Sequence, residues 1–269
     1  MRKFYAVVYT EKSREAFEAA QRAKRILEKG GGSAEIYSAS KLVEEKLPAD
    51  LDAIITLGGD GTILKAVGAL SDSETPILGV NFGRGGFLTE VEAEMLDEAL
   101  RRVLAENYEV ERKLMISLEA EAEKIGDTLN EAYIGSQVMG KTLYIEILRD
   151  EVKLVDGLAD GLIISTPTGS TAYAFSAGGP VVDDSLESVV FAPVCPITKL
   201  RPMVLSLSHE LEVTISGDYG IAILLDGYRL RRFDEKVVRL RVRRSERFAS
   251  FIRLGLGEGF VRRVRKKLG

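Results

Sequence analysis

One cysteine, Cys195, and one histidine, His209, stand in a chain of 269 residues. That scarcity excludes a disulfide framework within one chain and a zinc cluster built from cysteine and histidine. Apolar runs are short: none approaches the roughly 20 residues needed to span a bilayer, and the opening MRKFYAVVYTEKS holds no stretch long enough for a signal peptide. The expectation is a soluble, cytoplasmic protein with no membrane partner. Net charge is also small, with 37 basic residues against 41 acidic ones, which argues against a protein that coats nucleic acid. No internal repeat or low-complexity linker is apparent.

What the chain does have is apolar content, 45% of its residues, enough at this length for two ordinary domains with real cores. Phe4 to Tyr9 is a β-rich run. A helical segment follows from Ser13 to Lys29, in which Phe17, Ala20, Ala23 and Leu27 recur every three or four residues, and Gly30, Gly31 and Gly32 end it. Ala34 to Tyr37, Ala53 to Leu57 and Ile77 to Val80 read as strands, with a short helix over Thr62 to Ala69. Alternating β and α elements predict a parallel, Rossmann-like sheet with helices on its faces. Glu94 to Ala105 carries Met95, Leu96, Ala99, Leu100, Val103 and Leu104 on one helical stripe.

Beyond that helix the pattern becomes strand after strand. Val110 to Ala122, Thr142 to Arg149, Val152 to Val155, Leu162 to Ser165, Met203 to Leu207, Leu211 to Ile215, Ile221 to Leu225 and Val237 to Val242 are separated by turn-formers such as Gly126-Asp127, Asp156-Gly157 and Ser216-Gly217-Asp218. The expected organisation is an α/β domain over residues 1–100, a β-rich, sandwich-like domain over 101–250, and a C-terminal segment over 251–269. Charge is segregated: residues 231–269 hold 14 Lys/Arg and 4 Asp/Glu, which leaves 23 basic against 37 acidic residues in 1–230. Arg239, Arg241 and Arg243 alternate on one strand face, and Arg262 to Lys267 form a basic tail. A solvated face, a seam against the acidic remainder and a polyanion site all fit that pattern.

Three stretches carry the chemistry. In TLGGDGTILK, residues 56–65, a loop leaves a strand and enters a helix, presenting backbone N–H groups and a helix N-terminus suited to negative charge. Gly58, Gly59 and Gly61 remove side chains that would hold a phosphate off that backbone. Asp60 is out of place in a pure phosphate cradle, so its carboxylate faces another reactant or a magnesium ion; as general base it could take a proton from an attacking hydroxyl. The plain alternative is a tight turn with Asp60 capping a helix that begins at Thr62. Lys65, one turn inside the helix, could reach a phosphate or simply be solvated. In DGLIISTPTGSTAYAFSAGGP, residues 160–180, a buried strand runs into a loop whose Thr166, Thr168, Ser170 and Thr171 hydroxyls either cap a small-residue helix or, beside Tyr173, receive the sugar and base of a nucleotide. In LNEAYIGS, residues 129–136, Asn130 and Glu131 point to opposite faces unless a bulge or a strand end turns both to one ligand.

Taken together, the GGDGT of Gly58 to Thr62, the Asn130-Glu131 pair and the long match from Asp160 to Pro180 resemble the NAD kinase family. GGDGT alone is shared with diacylglycerol-type lipid kinases and is similar to a phosphofructokinase loop; the other two single out NAD kinases. The resemblance implies magnesium-dependent (or other divalent-cation) phosphoryl transfer from ATP or polyphosphate to the 2′-hydroxyl of the adenosine ribose of NAD, giving NADP. It implies Asp60 as the general base, with Gly58, Gly59, Gly61, Thr62 and Lys65 on the phosphate side. The dinucleotide is then held by Asn130 and Glu131 at the adenosine portion, Asp160 at the nicotinamide side, and Thr171, Ala172, Tyr173 and Ser176 around adenine and ribose. Phe87 and Thr168 join that set. Asp160 serves a site on a neighbouring subunit in the family, which implies a homo-oligomer, a dimer or a tetramer. The implied fold is an α/β domain joined to a β-sandwich-like domain, with the active site between them and the C-terminal segment packing back on the first.

The chain departs from the family pattern at four positions. Gly85 stands where leucine is usual, Ile197 where a histidine follows the second proline of PVCPITKLRP, Tyr228 where glutamine is common, and Leu158 where a polar or basic residue often stands.

Overall fold

A computed structural model of the chain describes residues 2–71, 73–83, 86–256, 259, 261, 264 and 265. Gly85 and most of the tail from Arg262 to Lys267 lie outside the described residues. The chain divides into two compact units, one of Met1–Lys113 with Ala249–Gly269, the other of Leu114–Phe248.

The first unit is an α/β layer structure. Its parallel sheet runs in the order β4, β3, β1, β2, from β1 (Phe4–Tyr9), β2 (Ser33–Ser38), β3 (Ala53–Gly58) and β4 (Ile77–Asn81), with the two-residue β5 (Val91–Glu92) beside β4. Register pairs Tyr5 with both Ala34 and Ala53, and Ile54 with Ile77. Every residue of β3 and β4 is buried, as expected for parallel strands covered on both faces. Helix α1 (Arg14–Lys29) starts at Ser13, whose Oγ accepts from the Ala16 N–H at 3.1 Å. Its buried stripe is Ala16, Ala20, Ala23 and Leu27. Phe17, expected on that stripe, lies at its exposed edge with its ring 5.1 Å from that of Tyr9, because the sheet admits the small alanines more closely than an aromatic. Helices α2 (Asp60–Ala69) and α3 (Leu96–Leu104) complete the unit, α3 burying Leu96, Ala99, Leu100 and Val103.

The second unit is an antiparallel β-sandwich. One sheet contains β10 (Val152–Ala159), β9 (Leu143–Arg149), β14 (Leu211–Ser216) and the first part of β17 (Val237–Arg253), with β6 (Glu109–Ala120) and β7 (Glu123–Thr128) attached. The other runs β13 (Met203–Ser206), β12 (Ser188–Val194), β11 (Gly161–Ser165), β8 (Glu131–Ser136), β15 (Ile221–Leu225), β16 (Arg229–Phe233). Alternation fills the space between the sheets: Ile145, Ile147, Val213, Ile215, Val238 and Leu240 come from one, Ile134, Leu162, Ile164, Phe191 and Ile223 from the other. A single helical turn, α4 (Tyr173–Ser176), follows a 3-10 turn over Thr168–Thr171.

Several expected turns fall inside strands. Gly126-Asp127 belongs to β7, and the reversal sits at Glu121 and Ala122, both with φ positive at 48° and 67°. Asp156-Gly157 lies within β10, where a bulge between Lys153 and Val155 absorbs the irregularity. Strand β17 continues past Val242 for a total of 17 residues. Its end enters the first unit: Phe251 pairs in parallel with Ile77, Ile252 and Leu254 join the core, and Ser250 Oγ donates to the Ser73 carbonyl at 2.7 Å. The C-terminal segment thus packs back on the first unit. Among the described residues no helix is long and apolar enough to cross a membrane.

Candidate active site

Asp60 is the first residue of α2, with Gly59 as N-cap in extended backbone. Asp60 Oδ2 accepts from the Phe87 N–H at 2.9 Å and Oδ1 from the Leu88 N–H at 3.0 Å. Gly86 is what lets that loop come so near, since a Cβ on it would stand 2.8 Å from Asp60 Oδ1 and 2.7 Å from Thr89 Oγ1. The glycines of the loop divide by cause. A Cβ on Gly58 would lie 2.2 Å from Thr62 Oγ1, so that glycine serves the packing of the buried Thr62. Around Gly59 and Gly61 nothing among the described residues stands within 4 Å of such a Cβ; none of them requires glycine there. Lys65 is half-buried one turn along.

The loop carrying Phe87 is tied at both ends. Asn81 Nδ2 donates to Glu92 Oε2 at 2.8 Å, and its Oδ1 accepts from the Gly83 N–H at 3.0 Å. At the other end the buried Glu90 accepts from the Leu254 N–H at 2.8 Å and pairs with Arg253 at 3.2 Å, while Arg253 also reaches Glu111 at 2.6 Å. No local signal marks Glu90 in the sequence, because its Leu254 partner is 164 positions away.

In the second unit, Asn130 precedes β8 and Glu131 opens it, so the adjacent pair stands at a strand end. Both are buried. The 165–171 loop packs on them without side chains between: Gly169 is so close that a Cβ would stand 2.2 Å from the Asn130 carbonyl oxygen. That carbonyl accepts from the Thr166 N–H at 2.9 Å and Ser165 Oγ at 3.1 Å, and Thr166 Oγ1 donates to the Leu129 carbonyl at 2.6 Å. Ser170 Oγ donates to the Pro167 carbonyl at 2.6 Å and accepts from the Val182 N–H at 2.9 Å, and Thr171 Oγ1 donates to the Thr168 carbonyl at 3.3 Å. Most of these hydroxyls therefore bond backbone carbonyls of the loop and of the Leu129-Asn130 bend. Thr168 and Ala172 are half-buried, while Tyr173 and Ser176 are exposed.

Asp226 lies outside the three motifs. It lies in the turn between β15 and β16 with φ 48°, followed by Gly227 at 73°. Its carboxylate accepts from the Asn130 N–H at 2.8 Å, the Leu129 N–H at 3.1 Å and the Thr128 hydroxyl, and its own N–H donates to the Glu131 carbonyl at 2.9 Å. Burial holds its proton affinity above the usual carboxylate range, opposed by the Thr128 hydroxyl and Arg229. Glu131 is pushed up to about 7, first by burial and then by the charge of Asp226, against the stabilising N–H of Tyr173. Among the described residues Glu131 Oε2 is buried with no hydrogen-bond partner, a costly state for an acceptor unless a ligand supplies a donor.

Tyr173 rests on Tyr133, ring centroids 5.7 Å apart. The Tyr133 ring lies over Gly135 and Gly161, neither of which leaves room for a Cβ. Asp160 is exposed; its N–H donates to the Val194 carbonyl at 3.0 Å, and its charge helps raise the Tyr133 hydroxyl. Leu158 and Ile197 are exposed and joined through backbone, Ile197 N–H to Leu158 carbonyl at 2.9 Å. Tyr228 is half-buried, its hydroxyl pushed up to about 12 by burial, with the Arg229 guanidinium 5.3 Å from its ring centre. Three described basic residues of the last segment meet carboxylates: Arg241 with Glu210 and Glu212, Arg243 with Glu119, Arg244 with Glu187. Those pairs accord with the seam reading.

Comparison with known proteins bears on both units. Residues 1–108 match the family model of the ATP-NAD kinase N-terminal domain, and residues 129–254 that of the ATP-NAD kinase C-terminal domain. The NAD kinase of Methanothermobacter thermautotrophicus is 40% identical over 270 residues, covering 94% of this chain and 92% of that protein. The NAD kinase of Aquifex aeolicus is 33% identical, covering 87% of this chain and 89% of that protein. Among solved structures, an NAD kinase from Archaeoglobus fulgidus in complex with ATP superposes with TM-score 0.81 at 29% identity, covering 99% of this chain and all of that one (100%). Yeast NADH kinase shares the fold at TM-score 0.83 and 19% identity, covering 100% of this chain and 88% of that one. With both family domains matched in order along one chain, this protein belongs to the NAD kinase family of phosphotransferases.

Proposed function

We propose that the chain converts NAD to NADP by in-line transfer of the terminal phosphoryl group of ATP to the 2′-hydroxyl of the adenosine ribose, with Asp60 as general base. The new bond joins the ribose oxygen to phosphorus, the bridging bond to the leaving nucleoside diphosphate breaks, and the hydroxyl proton passes to Asp60. The observation that carries this reading is the fixed direction of the Asp60 carboxylate, held by the Phe87 and Leu88 N–H groups beside two glycines that no described neighbour requires. Open backbone at Gly59 and Gly61, at the start of α2, suits the donor's phosphates, with Thr62 and Lys65 following. Asn130, Glu131, Thr168, Thr171, Ala172, Tyr173 and Ser176 hold the dinucleotide in this reading; Phe87 and Asp160 complete the set. The free oxygen of Glu131 supports it, since ribose hydroxyls are the donors such an oxygen lacks.

ATP as donor rests on the ATP bound by the Archaeoglobus relative; polyphosphate is the alternative donor. Among the described residues no three His, Cys, Asp or Glu side chains gather to hold a metal. That donor set fits a magnesium ion brought on the donor's phosphates and not one caged by the chain; such an ion would supply charge neutralisation when bound. An assembly of identical subunits, with Asp160 serving a neighbour, is part of the same proposal.

The test is incubation of the pure protein with NAD, magnesium and either ATP or polyphosphate, followed by enzymatic detection of NADP. NADP formed with ATP is the expected result. NAD binding without NADP from either donor would make the chain a dinucleotide sensor and defeat the proposal.

A further inference from the structure

The acceptor residues Asn130 and Glu131 are consecutive and buried, Asn130 before β8 and Glu131 at its start. Beside the bonds that their carbonyls take from Thr128, Ser165 and Thr166, a turn almost a hundred positions later holds them. Asp226 bonds to the backbone of Leu129, Asn130 and Glu131 and to the Thr128 hydroxyl. Its left-handed backbone, with Gly227 behind it, directs both its N–H and its carboxylate at one bend.

The same contacts set the charge of Asp226 against the Glu131 carboxyl, whose Oε2 is buried with no hydrogen-bond partner among the described residues. Charged groups surround the pair unevenly. Arg229 faces Asp226 at 3.4 Å, with Tyr228 beside both and Arg247 acting on Tyr228. Tyr173 contributes only its N–H to Glu131. Burial and the charge of Asp226 raise the Glu131 proton affinity, and the Tyr173 N–H opposes them.

Resting on the dinucleotide site proposed above, we propose that Asp226 is a positioning residue for the acceptor: it fixes the bend that aims Asn130 and Glu131, and its charge determines whether the free oxygen of Glu131 meets the sugar as acceptor or as donor. An ionised Glu131 accepts from ribose hydroxyls, so NAD binds best once that proton has left. With the carboxyl held at about 7, affinity for NAD rises roughly tenfold between pH 6 and pH 8, in proportion to the ionised fraction.

The experiment is calorimetric titration of NAD into the full chain from pH 6 to 8.5, for the wild type, Glu131→Gln, Asp226→Asn and Arg229→Gln. Asp226→Asn removes the like charge, and the midpoint of the affinity profile moves to lower pH. Arg229→Gln removes the cation opposite Asp226, and the midpoint moves up. Glu131→Gln abolishes the dependence and weakens binding at pH 8. A wild-type profile that is flat overturns the inference, as does a midpoint unmoved in both charge variants, even where Asp226→Asn lowers stability. Should Asp226→Asn fail to fold, the wild-type profile and the Arg229→Gln shift decide alone. Binding by Glu131→Gln that matches the wild type at every pH would instead remove Glu131 from the site, which is the failure of the underlying reading.

Discussion

Gly169 and Asn130 touch backbone to backbone: a Cβ on Gly169 would stand 2.2 Å from the Asn130 oxygen and 2.5 Å from its carbonyl carbon. The neighbouring atoms are main chain and cannot turn aside. Gly169→Ala therefore displaces the bend that presents Asn130 and Glu131. The expected outcome is a loss of about 1–3 kcal/mol of stability, the usual range for overpacking, together with a larger rise in KM for NAD than for ATP. Urea unfolding and steady-state kinetics on the same preparation measure both.

A second glycine gives a cleaner effect on the catalytic group. In Gly86→Ala the new methyl would crowd Asp60 Oδ1 and Thr89 Oγ1, both side-chain atoms able to move. Stability changes little, whereas Asp60 loses its alignment with the Phe87 and Leu88 N–H groups. Turnover should fall by about 10-fold or more, in line with the sensitivity of transfer reactions to small misplacements, with NAD affinity within a few-fold of the wild type.

Much of this architecture is written locally. The alanine stripe of α1 and the fully buried β3 and β4 follow from periodicity, and the three motifs pick out Asp60, Asn130-Glu131 and the 165–171 loop. What escaped is long-range. Strand β17 alternates only in part because Ser245 and Ala249 are buried while Arg243, Arg244 and Glu246 face solvent, so its length was invisible. Strand β7 looked like a turn because Gly126 and Asp127 are turn-formers by composition, yet Asp127 is buried and accepts from Ser245 Oγ at 2.8 Å. The task of Asp226 was hidden for the same reason, since its partners from Thr128 to Glu131 lie 95 to 98 positions earlier. Nor could composition show that Ser165, Thr166 and Ser170 spend their hydroxyls on carbonyls of the loop and of the Leu129-Asn130 bend.

The raised proton affinity of Glu131 has a consequence for stability. The folded protein keeps that proton up to about 7, whereas an unfolded glutamate releases it near 4.3. Between those values the folded state binds more protons than the unfolded chain, so stability falls as pH rises through the window. Asp226, also raised, acts in the same direction. Glu131→Gln should shrink the fall between pH 5 and pH 8, as read from urea midpoints at each pH. An undiminished fall would place its origin elsewhere.

Tyr173 is 45% exposed and leans on Tyr133, so its removal leaves the core intact. Tyr173→Ala should raise KM for NAD roughly tenfold, the scale of one lost base-stacking contact, while KM for ATP stays within about twofold and the melting temperature within a few degrees. Equal weakening of both substrates would show a general defect instead.

The most direct test of the whole account is Asp60→Asn. The amide keeps the shape of the carboxylate but cannot take up a proton from the ribose hydroxyl. Turnover of NAD to NADP should drop by ~10² or more, as for a lost general base, while NAD affinity measured by calorimetry stays within a few-fold. Turnover equal to that of the wild type would contradict the assignment of Asp60 as the base.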